Sequence, residues 1–170
     1  MRHFQSTMLV ACWLAASSGS TSTHGAITAD QADAGTSAAD EADDDFKGCP
    51  TELPAFGPGL RAAGDHYALK LLAATPDQPE RYTDNDWTVE LTALDGSSAS
   101  DAQIVRGQTF MPIHGHDGRV EPGVKALATA GQFQVDRLNF SMRGPWEVRL
   151  WLDSASVAED RLVFQVCVTK

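Results

Sequence analysis

The chain has 170 residues, with 23 acidic against 13 basic side chains and a formal net charge of −10. That length suits one ordinary domain and not two comfortable ones. No basic stretch with interleaved aromatics is present, which removes nucleic acid from the expected partners.

Residues 1–16 begin with Arg2 and His3, continue through the apolar run Met8-Leu9-Val10-Ala11-Cys12-Trp13-Leu14-Ala15-Ala16 and pass into small residues. This is the outline of a secretory signal, and the apolar run is less than half of what a bilayer span needs. Leu9-Val10-Ala11-Cys12 also has the form of a bacterial lipoprotein signal, in which Cys12 becomes the lipid-bearing first residue. Two outcomes stay open: cleavage before Cys12 with a lipid anchor, or cleavage after Ala16 with a soluble periplasmic product. In both the protein is exported, and it meets the membrane only through a lipid on Cys12.

Residues 17–47 are Ala, Ser, Thr, Gly, Asp and Glu with almost no large apolar side chain, so they predict a disordered acidic tether. Asp30, Asp33, Asp40, Glu41, Asp43, Asp44 and Asp45 concentrate much of the negative charge there. Three cysteines occur in the chain, and loss or lipidation of Cys12 leaves Cys49 and Cys167. An oxidising compartment favours joining them, and the absence of a Cys-x-x-Cys pair argues against a redox role.

Residues 48–170 predict an all-β, immunoglobulin-like antiparallel sandwich of about seven strands. Period-two alternation is clearest at 67–71, 87–91, 133–136, 146–152 and 162–168, and weaker at 102–106 and 124–130. Turn signals separate them at Asp95-Gly96, Asp117-Gly118, Pro122-Gly123, Gly131 and Gly144-Pro145. Trp87, Leu91, Phe133, Val135, Trp146, Val148, Leu150, Phe164 and Val166 fall on the expected core face. The same register puts Cys167 on the outer face, to be reached by Cys49 from a strap, residues 49–60, too rich in Pro and Gly for a central strand. Trp151 is expected as an outer aromatic meeting the strap or a partner, and His66 as a surface residue.

Catalytic constellations are scarce: there is no Gly-rich phosphate loop, nucleophile elbow or His-Glu-x-x-His helix, so no enzyme is expected. The carboxylate pairs Asp84 with Asp86 and Glu159 with Asp160 are expected in solvated loops. One cluster stands apart, Phe110-Met111-Pro112-Ile113-His114-Gly115-His116-Asp117-Gly118, whose two histidines point the same way if the segment is extended. Outside the signal, the other methionine is Met142, in a turn between two strands. Thioether and imidazole together suit copper, and Met111, His114, His116 and Met142 are the candidate ligands. Zinc through His114, His116 and the possible ligand Asp117 is the second option. The third is no cofactor at all, with the methionines packing the end of the sandwich.

An ordered series of segments carries a resemblance: Asn85-Asp86-Trp87-Thr88-Val89, Asp95-Gly96, Met111-Pro112-Ile113-His114-Gly115-His116, Gly131-Gln132-Phe133, and Phe140-Ser141-Met142-Arg143-Gly144-Pro145-Trp146-Glu147-Val148. Together they resemble the YtkA-like domain, related to the FixH proteins, over about residues 64 to 153. The resemblance implies a small immunoglobulin-type sandwich on an exported or membrane-anchored bacterial protein. It also implies a binding or assembly role, in some members in the company of copper handling or cytochrome oxidase assembly, with an envelope protein as partner. Thr83, Phe133 and Asp117 depart from the pattern, and Asp117 adds an oxygen donor that makes a purely soft-metal site less secure.

Overall fold

A computed structural model describes residues 46, 48–157 and 159–170. The expected signal segment, Cys12 and the expected tether up to residue 45 lie outside the described residues.

Nine strands occur among them: β1 (Arg61–Ala63), β2 (Tyr67–Thr75), β3 (Asp84–Ala93), β4 (Ala102–Met111), β5 (His116–Asp117), β6 (Gly123–Ala126), β7 (Gln132–Asn139), β8 (Gly144–Ser154) and β9 (Asp160–Val168). They form two antiparallel sheets, ordered β1-β2-β3-β7-β6 and β5-β4-β8-β9, the sandwich that the alternation predicts. All seven expected strands are present. The two additional ones, β1 and β5, are three and two residues long, too short to show a period in the sequence.

Strand β4 runs five residues past its expected end. A bulge between Ile104 and Arg106 shifts the alternation by one residue, and Gly107 then takes a buried position without a side chain. A bulge reverses the phase of every later side chain, so the apolar pattern breaks in the sequence while the pairing with β8 continues to Phe110↔Glu147.

All nine expected core residues are at most 3% exposed. Trp87 lies at the centre, edge-on to Phe164 at 5.7 Å and tilted against Phe56 of the strap at 5.3 Å. Each such large apolar side chain contributes about 1.5–3 kcal/mol through burial. The strap joins the edge of the first sheet, with Gly59 N donating to Leu71 O and Leu71 N to Leu60 O, both at 2.8 Å. Cys49 is disulfide-bonded to Cys167, with Cα atoms 5.8 Å apart and a sequence separation of 118. Cys167 stands on the outer face of the edge strand β9, opposite the buried Phe164, Val166 and Val168, as expected.

Two polar side chains are buried for structural reasons. Asp160 is 5% exposed and accepts the backbone N–H groups of Asp65, His66, Tyr67 and Arg161 at 2.8–3.0 Å, tying the β1–β2 turn to the start of β9. This corrects the expectation that it lies in a solvated loop. A side chain on Gly64 would collide with that carboxylate, so the close approach needs glycine. Asn85 is fully buried and is bonded to Glu80, Thr83 and Leu138 backbone atoms. The Arg106 guanidinium covers the ring of Trp151 at 4.3 Å. His66 is exposed, as expected.

Candidate functional site

Strand β4 ends at Met111, and residues 112–115 turn the chain back into β5. His114 N and Gly115 N both donate to Met111 O, at 3.2 and 2.8 Å, and Gly115 takes φ +67°, a conformation glycine adopts without steric cost. The segment is therefore a hairpin turn, not the extended run expected. The two imidazoles come together all the same, with ring centroids 5.9 Å apart and planes inclined by 29°.

The rungs of this hairpin sort the candidate ligands. Met111 pairs with His116, and Phe110 with Asp117. Directly opposed residues share a face and successive residues alternate, so Met111 and His116 lie on one side and Asp117 on the other. There Asp117 Oδ1 accepts from Gln108 Nε2 at 2.8 Å. No three His, Cys, Asp or Glu side chains gather to hold an ion among the described residues. The expected zinc set of His114, His116 and Asp117 is thus not assembled, because strand periodicity sends the carboxylate to the opposite face.

On the Met111 side the turn between β7 and β8 converges with the hairpin. The His116 ring meets Trp146 edge-on at 5.7 Å, and Trp146 also packs against Phe140 at 5.4 Å. The Trp146 indole N–H donates to Met142 O at 3.0 Å, which fixes the turn that carries the second thioether. Met142 is half-buried against the core. A Cβ placed on Gly144, whose φ is +126°, would lie 2.9 Å from the Met111 methyl carbon and 3.9 Å from the Phe46 ring. Met111, His114, His116 and Met142 therefore sit at one end of the sandwich.

Accessibility divides them. His114 is exposed, His116 is half-buried, and Met111 is only 2% exposed. His116 Nδ1 lies 3.0 Å from its neighbour's carbonyl, Asp117 O. A carbonyl only accepts, so in the neutral ring Nδ1 carries the proton and Nε2 keeps the lone pair a metal needs. An open cleft of about 300 Å³ is lined by Arg106, Gln108, Thr109 and Asp117 among others, and by none of the four candidate ligands.

The YtkA-like family profile matches residues 63–150, just over half of the chain. The chain belongs to the YtkA-like family. The match spans the hairpin and the Met142 turn of this YtkA-like domain and stops before β9. No curated protein and no solved structure matches the chain.

Two residues at this end were not legible as functional from sequence. Phe46 stands out there only as the first large apolar residue after a long small-residue run, and Gly144 as a turn former within the segment that carries the family resemblance. Their proximity exists only in three dimensions.

Proposed function

We propose that this YtkA-like domain is an exported accessory module that takes up copper at Met111, His114, His116 and Met142 and passes it on or senses it, without turnover. The single observation that carries this is the convergence of the β4–β5 hairpin with the Met142 turn, through His116 on Trp146 and Met111 beside Gly144. Two thioethers and two imidazoles at one end of a sandwich are a soft donor set, and thioethers serve hard ions poorly. The disulfide is compatible with an oxidising compartment. No helix among the described residues is long and apolar enough to cross a membrane. Attachment to the bacterial envelope then rests on Cys12, and mass spectrometry of the mature N-terminus distinguishes diacylglycerol on Cys12 from a soluble periplasmic form cut after Ala16.

The near-complete burial of Met111 favours a second reading, a metal-free interaction module whose sandwich end is presented to another envelope protein. Titration of the protein with Cu(I) against a competing chelator separates the two. The comparison variant is Met111→Leu with Met142→Leu, which keeps bulk, removes sulfur and costs below about 1.5 kcal/mol per site. The copper reading expects submicromolar binding in the parent and a loss of at least about tenfold, or about 1.4 kcal/mol, in the variant. Unchanged affinity in the variant removes the thioethers from the site, and absence of binding in the parent puts the interaction module in front.

A further inference from the structure

Strand β4 has ten residues and its outer neighbour β5 has two, and their pairing covers Phe110 and Met111 only. Gly118 N donates to Thr109 O at 2.8 Å as the last bond of the row. Because β5 is the outermost strand of its sheet, the rest of β4 is a sheet edge. Backbone groups alternate in direction along an antiparallel strand, so Gly107 turns its N–H and C=O to the same side as Thr109. No backbone group of residues 119–122 bonds to Gly107 there among the described residues. The bulge between Ile104 and Arg106 breaks the register beyond, which limits the regular edge to residues 106–109. The other edge strand of this sheet, β9, is tied to the strap by the Cys49–Cys167 bridge.

The open cleft of about 300 Å³ lies along this stretch, lined by residues 106–109 together with residues 117–118 and 120–122. A strip of unpaired main chain beside a cleft is what an added strand uses, with backbone bonds giving affinity and alternate side chains giving selectivity. Val120 and Pro122 supply apolar surface, and Val120 is 37% exposed. Asp117 and Glu121 are exposed carboxylates, whereas the cation lining the cleft, Arg106, is turned onto the Trp151 ring at 4.3 Å.

We propose that the edge of β4 at residues 106–109 is a strand-addition site for an extended segment of a partner protein, in which apolar residues alternate with lysine or arginine. The guest strand runs antiparallel to β4 and continues the row that β5 begins, so its end meets Gly118, two residues from His116. The partner is thereby brought to the methionine–histidine end with or without an ion there. Gly107 belongs to the inward row of β4, and directly opposed residues share a face. The guest residue opposite it is therefore an apolar one, and that residue's N–H donates to Gly107 O.

The test uses the full chain, isotope-labelled for NMR and free of copper, with a capped hexapeptide of alternating valine and lysine as the probe. Titration to millimolar peptide is expected to shift the Gly107 and Thr109 amides and to slow exchange of the Gly107 amide with solvent. Methylating the valine backbone nitrogens is expected to weaken binding about tenfold, the scale of the hydrogen bonds lost, and methylating the lysine nitrogens, which face away, to leave it unchanged. Glu121→Lys is expected to weaken binding about two- to fivefold, the scale of an exposed ion pair. No shift at Gly107 and Thr109, or equal binding of the two methylated peptides, overturns strand addition. Equal binding of the lysine peptide and one with glutamate in its place, or no loss in Glu121→Lys, overturns the basic partner. Shifts at Gly107 on concentrating the protein alone assign the edge to a second copy and overturn the partner assignment. Since no copper is present, the outcome is independent of the Cu(I) titration.

Discussion

Met111 and His116 are opposite each other on one rung of the β4–β5 hairpin. A thioether and an imidazole thereby share a face at cross-strand distance, while the next rung sends Asp117 to the other side. The pairing selects among donors that lie within seven residues of one another in the sequence.

The three polar side chains His114, His116 and Asp117 should accordingly contribute unequally to Cu(I) binding. His116→Ala is expected to weaken it most, since it removes the imidazole whose Nδ1 contact leaves Nε2 available and which packs on Trp146. His114→Ala should cost less, because His114 is exposed at the turn and its ring position is less constrained. Asp117→Asn should leave the affinity unchanged. Isothermal competition titrations check the order, and a large loss in Asp117→Asn would return the carboxylate to the ligand set.

Gly144→Ala should destabilise the domain by about 1–3 kcal/mol, from backbone strain at a positive φ and from overpacking against the Met111 methyl. Urea unfolding measures the loss. Because part of it is steric, adding Met111→Ala should cost less in the Gly144→Ala background than in the parent. Strict additivity of the two substitutions would show that Met111 and Gly144 are not coupled.

Asp160 gives the domain a defined acid sensitivity. Burial acts to raise its pKa, but four backbone N–H donors outweigh that and hold it below the usual carboxylate range. A group with a depressed folded pKa stabilises the fold above its unfolded value of about 3.9 and loses that contribution as pH falls through the folded value. Asp160→Asn should lower stability at neutral pH by about 1.5–3 kcal/mol, the scale of a hydrogen bond to a charged group. It should also flatten the fall in stability below about pH 4. Equal acid limbs in parent and variant, followed by thermal unfolding at stepped pH, would remove Asp160 as a source of acid sensitivity.

Much of the architecture was legible in the chain because a half-buried strand writes its burial into the sequence. Trp146-Glu147-Val148-Arg149-Leu150 alternates in the letters and in the fold alike, and the disulfide partners followed from cysteine parity and from the register that turns Cys167 outward. Where the local pattern was interrupted, inference stopped short: the bulge at Val105 and the empty position at Gly107 hid the second half of β4.

The candidate ligands were likewise named from residue type alone, since donor chemistry is a property of each side chain. What the sequence could not decide was which donors share a face and which of them solvent can reach. Those depend on contacts between segments far apart in the chain: Met111 against Gly144, His116 against Trp146, Phe46 beside both Gly144 and Arg143. Periodicity carries the orientation of a side chain relative to its own strand, and only the packing of two sheets and a strap determines what stands in front of it.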